Sequence, residues 1–204
     1  MDKQASLTAL HKQMANCQNC ALGATRTNLV FGKGNPAAGI LFIGEGPGAE
    51  EDQQGLPFVG RAGRLLDQLI AESGLPTEEI YIANVVKCRP PGNRLPLPEE
   101  TEACKVYLRE QLKIIAPKII ICLGAHATQL VIDPKAKITQ MRGRFVQKGR
   151  FIIMPTFHPA ALLRDPAKKI PVHQDLQAVY QAYLQITGRN NLKKDQSWPP
   201  KEDI

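Results

Sequence analysis

The sequence predicts an α/β fold, in which the strands of a mostly parallel sheet alternate with helices on both of its faces. Two observations carry this prediction. Short apolar runs alternate along the chain with segments of helical spacing, and Gly or Pro bounds most of these segments. Such alternation is typical of βαβ units. The composition of the 204 residues, 43% hydrophobic and 22% charged, is globular and excludes collagen-like, coiled-coil and wholly disordered classes.

The predicted elements follow one another in a regular order. Strands are expected at residues 39–43, 80–86, 118–123 and 151–154. Helices are expected at residues 61–73, 98–115 and 171–187, with a short helix after Gly124. Pro98 followed by two glutamates is typical of a helix start, whereas Gly74 and Gly188 mark helix ends. We expect one domain over residues 1–189 and a polar, flexible tail over residues 190–204.

Residues suited to ligand binding follow the predicted strands. The first strand leads into residues 44–48, Gly-Glu-Gly-Pro-Gly, the second contains Asn84, and the fourth leads to His158 between Phe157 and Pro159. In open α/β sheets the ligand crevice lies beyond the carboxyl ends of the strands. The sequence therefore predicts a binding site at this edge of the sheet.

The first of these loops nearly matches a dinucleotide-binding fingerprint. Gly44, Gly46 and Ala49 satisfy the pattern G-x-G-x-x-G/A directly after a strand. However, the acidic residues 50–52 stand where a pyrophosphate would approach, and the second strand ends without a carboxylate for a ribose. We therefore reject NAD binding and expect the glycines to let the backbone approach a different ligand closely.

Four of the five cysteines have the spacing of a metal site. Cys17 and Cys20 form a C-x2-C pair, Cys88 follows the second strand, and Cys104 lies in the following helix. Four thiolates suit either a tetrahedral zinc ion or a [4Fe–4S] cluster, and the spacing does not separate the two. Cys122 lies within an apolar strand and is expected to be a core residue.

Three further residue types suit recognition of a flat base. The carboxamide of Asn84 carries a donor and an acceptor side by side, which match the N3–H and O4 edge of uracil, although an ordinary turn Asn is the alternative. Phe58, between Pro57 and Val59 in a Gly-rich segment, is either a stacking platform or a core residue. His158 at a strand end is a candidate donor, with a structural role as the alternative.

The positive charge of the chain is concentrated in its second half. The formal net charge is +7, but residues 1–100 carry 9 Lys/Arg against 11 Asp/Glu, whereas residues 101–204 carry 17 against 8. Residues 135–169 hold nine basic side chains and one acid, a pattern typical of a phosphate-backbone partner or of a solvated surface. No secretory signal or membrane span is evident, so we expect a cytoplasmic, nucleoid-associated monomer with no membrane partner.

Four separated segments carry a resemblance to a known family. They are residues 44–52 (GEGPGAEED), 55–63 (GLPFVGRAG), 84–91 (NVVKCRPP) and 158–160 (HPA). Together with the cysteine spacing they resemble the family 4 uracil-DNA glycosylases, the iron–sulfur members of the uracil-DNA glycosylase superfamily. The likeness extends from Cys17 to the closing helix. Position 46 is Gly where the family usually has Ala.

The resemblance implies a fold, a cofactor and an activity. The fold would be a three-layer α/β/α sandwich with a central four-stranded parallel sheet. Cys17, Cys20, Cys88 and Cys104 would hold a [4Fe–4S] cluster, with zinc as the alternative. The activity would be base excision repair: the protein would flip uracil out of single- or double-stranded DNA and hydrolyse its N-glycosidic bond. A metal-stabilised nucleic-acid-binding module without catalysis is the alternative function.

The resemblance also implies roles for individual residues. Phe58 would stack on the flipped uracil, Asn84 would read its edge, and His158 would face its O2. Glu45 would position water or stabilise charge near the sugar, Glu51 would exclude thymine, and the backbone of three glycines would approach the base. Those glycines are Gly44, Gly46 and Gly48. The residues expected to contact DNA are Ala161, Leu162, Leu163 and Arg164 in a minor-groove loop, together with Arg142 and Arg144.

Overall fold

A twisted sheet forms the centre of the structure, a computed structural model that describes residues 2–188. Its strands are β1 (Lys33–Gly34), β2 (Ile40–Gly44), β3 (Ile80–Asn84), β4 (Ile119–Leu123), β5 (Val146–Lys148) and β6 (Phe151–Thr156). Their order is β1-β3-β2-β4-β6-β5. The four central strands are parallel, which confirms the predicted parallel sheet. The short edge strands β1 and β5 are antiparallel and were not predicted.

Helices connect these strands and cover both faces of the sheet. They are α1 (Lys3–Met14), α2 (Leu22–Thr25), α3 (Ala49–Gln54), α4 (Arg61–Glu72), α5 (Pro98–Ile115), α6 (Gly124–Val131), α7 (Ile138–Met141), α8 (Pro159–Arg164) and α9 (Lys169–Thr187). The N- and C-terminal bounds predicted for the helix at 98–115 are confirmed. The helices predicted at 61–73 and 171–187 are confirmed with small shifts at one end.

Burial explains why the central strands are apolar along most of their length. Residues of β2, β3 and β4 are buried throughout, as expected for parallel strands covered on both faces. Alternate side chains enter two cores. Leu41 and Ile43 face a core with α1, α5 and α6, whereas Ile40 and Phe42 face a core with α4, α8 and α9. The three-layer α/β/α arrangement is therefore confirmed for the described residues.

The tail predicted over residues 190–204 lies outside the residues that the structure describes. Between residues 2 and 188, none of the helices combines the length and the apolar character that crossing a membrane would require.

The parallel register brings the predicted binding residues to one edge of the sheet. Gly44 at the end of β2 pairs with Asn84 at the end of β3. Beyond β6, His158 is the N-cap of α8. Thr156, the last residue of β6, donates a hydrogen bond of 2.6 Å to Asp175 of α9, which anchors the strand just before His158. The fold thus places these loops around one site.

Candidate active site and cysteine site

A cleft of about 380 Å³ opens at the carboxyl ends of the parallel strands. The loop after β2, the N-terminal part of α3, the loop before α4, the end of β3 and the start of α8 form its walls. Of the residues predicted to bind substrate, the cleft is lined by Glu45, Gly46, Gly48, Glu51, Phe58, Asn84 and His158. The structure therefore brings these residues together, as the sequence analysis expected for one rim of the sheet.

Asn84 places an unused hydrogen-bond acceptor in this cleft. The residue is only 2% exposed, and its Oδ1 has no hydrogen-bond partner within the protein. A buried acceptor without a partner costs about 1–3 kcal/mol, so a ligand N–H at this position would be favourable. Gly44 makes this orientation possible. A Cβ on Gly44 would lie 2.4 Å from the Asn84 Oδ1 and 2.6 Å from the Phe58 ring.

Phe58 and His158 form an aromatic wall beside that amide. Their ring centroids are 5.7 Å apart, with an angle of 34° between the planes. The backbone of Phe58 has a φ of 52°, which is unusual for a residue with a side chain. Lys33 Nζ donates to the Phe58 carbonyl at 3.1 Å, and Gly63 packs so closely that a Cβ there would lie 2.2 Å from that carbonyl carbon. These contacts hold the ring at the cleft.

The His158 imidazole is held in its neutral form. Burial is the main cause, and the charge of Arg164 adds to it, so that the pKa of His158 falls to about 4 although Glu51 acts in the opposite direction. Its Nδ1 accepts a hydrogen bond of 3.2 Å from the Ala160 backbone N–H. Because Nδ1 is an acceptor, the proton of the neutral ring resides on Nε2. The ring can therefore donate from Nε2 near neutral pH.

Two acidic residues of the cleft have different surroundings. Glu45 lines the cleft, and burial raises the pKa of its carboxyl group. The Glu51 carboxylate accepts from the backbone N–H groups of Gly48, Val59 and Gly60 at 3.1, 3.0 and 2.9 Å. Glu51 therefore ties α3 to the segment that carries Phe58, a role that the sequence did not indicate.

The segment after Cys88 forms a further part of the cleft wall, which the sequence did not predict. Pro90, Asn93 and Arg94 line the cleft, as does Arg61 at the start of α4. Arg94 binds Glu100 through both terminal nitrogens of its guanidinium group, at 2.8 and 2.6 Å, and Glu100 also accepts from the Leu97 N–H. The sequence signal present here, a Glu three residues after the helix N-cap, indicates the start of a helix and not a cleft wall.

The four predicted ligand cysteines line a second, smaller cavity. It lies between the end of α1, the start of α2, the end of β3 and α5. Cys88 and Cys104 are buried, whereas Cys17 and Cys20 are half-buried. Within residues 2–188, no set of three or more His, Cys, Asp or Glu side chains is arranged as a site for a metal ion. Cys122 is fully buried in β4, as expected for a core residue.

The chemistry of this cavity fits a thiolate-bound metal centre. Arg26 donates to the Cys88 sulfur at 3.3 Å, and the Tyr107 hydroxyl donates to the Cys17 sulfur at the same distance. Burial raises the pKa of the Cys104 thiol to about 11, and the nearby Lys87 acts in the opposite direction. The hydrogen bonds to Cys88 and Cys17 would stabilise sulfur that has lost its proton, which metal binding requires, whereas burial of Cys88 and Cys104 acts in the opposite direction. The donor set therefore fits the group that the resemblance implies.

The residues predicted to contact DNA have unequal exposure. Ala161 to Arg164 form α8 rather than a loop. Leu163 is 42% exposed, but Leu162 is buried in the core between the sheet and α4, so it is a packing residue here. Arg142, which was also predicted to contact DNA, forms an ion pair with the buried Asp175 through its guanidinium group, and 24% of its side chain stays exposed. Arg144 exposes its side chain to solvent.

Comparison with known proteins gives the family. The sequence-family model of the uracil DNA glycosylase superfamily matches residues 31–183 of this chain. A type-4 uracil-DNA glycosylase of Thermotoga maritima is 46% identical over 82% of this chain and 88% of its own length. Those of Sulfurisphaera tokodaii and Archaeoglobus fulgidus are 41% and 40% identical, over 97% and 85% of this chain and 96% and 92% of their own lengths. The chain therefore belongs to the type-4 uracil-DNA glycosylases.

Proposed function

We propose that this protein removes uracil from DNA by hydrolysing the N-glycosidic bond, the first step of base excision repair. The observation that carries the proposal is the unpartnered Asn84 Oδ1 in a cleft that also holds an aromatic ring and a neutral imidazole. Relatives of nearly the same length are type-4 uracil-DNA glycosylases, which supports the same reaction. The product would be an abasic site in an otherwise intact strand.

Base recognition would use Asn84 and Phe58. The Oδ1 of Asn84 would accept from the N3–H of uracil, and its amide nitrogen would donate to O4. Cytosine lacks the N3–H, so it would leave this buried acceptor unsatisfied at a cost of about 1–3 kcal/mol. Phe58 would stack on the face of the base, which is how enzymes that flip bases recover part of the lost stacking. The segment that Glu51 ties to α3 would keep that ring in place.

His158 would stabilise the departing base. As the glycosidic bond breaks, negative charge develops on the uracil ring and on O2. The Nε2–H of the neutral imidazole would donate to O2, and the bond strengthens as the charge grows. One such donor is typically worth about 3–4 kcal/mol in the transition state. Because the ring is already neutral at pH 7, no proton has to be removed from it before it acts.

Glu45 would act on the sugar side of the bond. The sugar becomes an oxocarbenium-like cation as the base leaves, and a carboxylate beside it stabilises that charge or orients the attacking water. Burial raises the pKa of Glu45, so its ionised form is lost at a higher pH than for an exposed Glu. We therefore assign to Glu45 the acidic limb of the pH profile.

Glu51, with its carboxylate bound to three N–H groups, would limit space beside the base for the thymine methyl.

Contacts to DNA would come from the glycine-rich loops at the cleft and from the exposed residues near it. Gly44, Gly46 and Gly48 would allow close backbone approach to the base. The exposed Leu163 and Arg164 of α8, together with Arg144, would contact the strand from which the base is flipped, whether the DNA is single- or double-stranded. We expect the protein to act on DNA as a monomer.

We further propose that Cys17, Cys20, Cys88 and Cys104 hold a [4Fe–4S] cluster. Their convergence on one cavity and the hydrogen bonds to two of the sulfurs support this assignment. Such a cluster would cross-link α1, β3 and α5 through covalent iron–sulfur bonds. The purified protein should then be brown, with visible absorption and about four iron atoms per chain. A colourless protein that releases one zinc ion would instead support the zinc alternative.

The proposed reaction can be tested on a labelled duplex that contains one uracil. After incubation with the protein, hot alkali breaks the strand at an abasic site, so a break at the uracil position reports excision. We expect Asn84→Ala and His158→Ala each to lower the maximal single-turnover rate about 100-fold or more, with nearly unchanged DNA affinity. Gln68→Ala, on the exposed face of α4, serves as the control and should keep the rate of the unaltered protein.

Two results would contradict the proposal. One is the absence of a break in the uracil duplex while a known uracil-DNA glycosylase cuts it under the same conditions. That result would favour the alternative of a nucleic-acid-binding module without catalysis. The other is an equal loss of DNA affinity in both variants, which would assign Asn84 and His158 to binding or folding rather than to the chemical step.

A further inference from the structure

Lys87 is a fully buried lysine that the proposed reaction does not use. Its side chain has no exposed surface, yet its Nζ lies within hydrogen-bond distance of two acceptors. It donates to the backbone carbonyl of Asn84 at 2.7 Å and to Gln111 Oε1 at 2.6 Å. Both acceptors are neutral. Burying an ammonium group is costly unless it is well hydrogen-bonded and its charge is compensated, so this position calls for a physical reason.

The same residue adjoins the cysteine site through its backbone. Lys87 precedes Cys88, and its N–H donates to the Cys104 thiol. Its carbonyl accepts from the Val30 N–H at 2.9 Å, and the Gln111 amide donates to the Phe31 carbonyl at 2.9 Å. Lys87 is therefore fixed on several sides. Thiolates at the cysteine site would supply the negative charge that a buried ammonium needs.

No hydrogen bond within the protein holds the Oδ1 of the Asn84 side chain. The orientation of the amide is set by its backbone, by the space that Gly44 leaves open and by the neighbouring Phe58 ring. The backbone carbonyl of Asn84 is held by its hydrogen bond from the Lys87 ammonium group. The next residue, Val85, is held separately, by its N–H bond to the Gly44 carbonyl.

We propose that Lys87 is a positioning residue, which holds the Asn84 backbone so that its amide faces the cleft and which couples that amide to the cysteine site. The inference rests on the proposed function, because it concerns the residue that reads uracil. Loss of the ammonium group would let the end of β3 shift. A small shift of Asn84 would weaken recognition in the transition state more than it weakens binding of the DNA strand.

The test compares Lys87→Met with Lys12→Met in the full chain. Methionine retains the length and the apolar stem but removes the donor, whereas Lys12 is an exposed residue on α1. The measurements are the maximal single-turnover rate of uracil excision, the affinity for the DNA, and the iron content and visible spectrum. We expect Lys87→Met to lower the rate per iron-containing molecule about tenfold or more without changing DNA affinity, and Lys12→Met to change neither.

A double-mutant cycle separates positioning from a general structural role. If Lys87 acts through Asn84, Lys87→Met should cause no further loss of rate in the Asn84→Ala background. Additive losses would overturn the inference. So would a normal rate per iron-containing molecule in Lys87→Met, even if that variant were less stable or bound less iron.

A second variant keeps the inference testable if Lys87→Met does not fold. Gln111→Leu removes the other acceptor of Lys87 and leaves the cysteines unchanged, and it should also lower the maximal rate at unchanged DNA affinity. An unaltered rate in Gln111→Leu would then overturn the inference. If the unaltered protein itself excises no uracil, the proposed function fails and the inference with it. If the unaltered protein excises uracil normally and the Lys87 and Gln111 variants do so at the same rate, only the positioning role is overturned.

Discussion

The position of one proton on His158 decides what this residue can do in the reaction. Its Nδ1 accepts from the Ala160 N–H, and burial together with Arg164 lowers its pKa to about 4. The group therefore stays neutral from pH 8 down to well below 6.5, the ordinary histidine value. The pKa is lowered rather than raised, so protonation and loss of the acceptor at Nδ1 are expected only at strongly acidic pH.

This assignment predicts the pH dependence of excision. The maximal rate should show no step near pH 6.5. The fall in rate at acidic pH, which we assign to Glu45, should become smaller in Glu45→Gln. Nitrogen NMR of the His158 ring at pH 6 should show a neutral imidazole protonated at Nε2. A titration midpoint near 6.5 for this ring, or a ring protonated on both nitrogens at pH 6, would contradict the assigned role.

At the scale of an element, the ion pair of Arg94 and Glu100 connects the cleft to helix α5. Glu100 is 2% exposed and binds both Arg94 and the Leu97 N–H, so it caps the helix and fixes the segment before it. The hydrogen bond and charge of Arg94 lower the pKa of Glu100, against the effect of burial. A lowered pKa means that the ionised carboxylate stabilises the folded state above pH 4.5, and that this contribution is lost as the pH falls through the folded-state pKa.

Glu100→Gln should therefore lower the free energy of unfolding by about 1–2 kcal/mol at pH 7. The difference from the unaltered protein should shrink as the pH falls from 4.5 through the lowered folded-state pKa of Glu100, because its carboxyl group then becomes neutral, like the Gln amide. Urea denaturation measures both values. Glu102→Gln is the matched control, since its carboxylate is 67% exposed in a surface ion pair and should contribute less than about 0.5 kcal/mol. Equal effects of the two substitutions would contradict this account.

The elements that sequence alone could predict are those with long apolar or amphipathic patterns. The four parallel strands and helix α5 are in this class. The predicted strands in turn indicated the edge of the sheet at which Asn84 and His158 meet. The edge strands β1 and β5 have only two and three residues with no apolar run, so pattern could not predict them. The burial of Leu162 and the Arg142–Asp175 ion pair depend on contacts distant in sequence, which local composition does not encode.

At the scale of the whole molecule, the net charge of +7 is distributed so that the second half of the chain carries the excess. The structure divides the basic residues of this half into two groups. Some, such as Arg142, form internal ion pairs, and others, such as Arg144, are exposed. Only an exposed cation can displace counterions from the DNA backbone. We therefore expect individual basic residues to contribute unequally to the affinity for DNA.

Arg144→Gln and Arg142→Gln should therefore have different effects. For Arg144→Gln, the slope of the logarithm of DNA affinity against the logarithm of salt concentration should decrease by about one. For Arg142→Gln the slope should not change, but the free energy of unfolding should fall by about 3 kcal/mol because the buried Asp175 loses its charged partner. The measurements are DNA titrations at several salt concentrations and urea denaturation. A slope that decreases for Arg142→Gln but not for Arg144→Gln would contradict this division.

The most direct test of the account is mass spectrometry of the products formed from a duplex with one U:G pair. We expect free uracil and an abasic strand with an unbroken backbone, in equal amounts, and no release of base from matched duplexes with C:G or T:A at that position. Release of uracil should be nearly lost in Asn84→Ala. Intact DNA after prolonged incubation with folded protein, or equal release of cytosine and uracil, would contradict the claim that this cleft recognises and excises uracil.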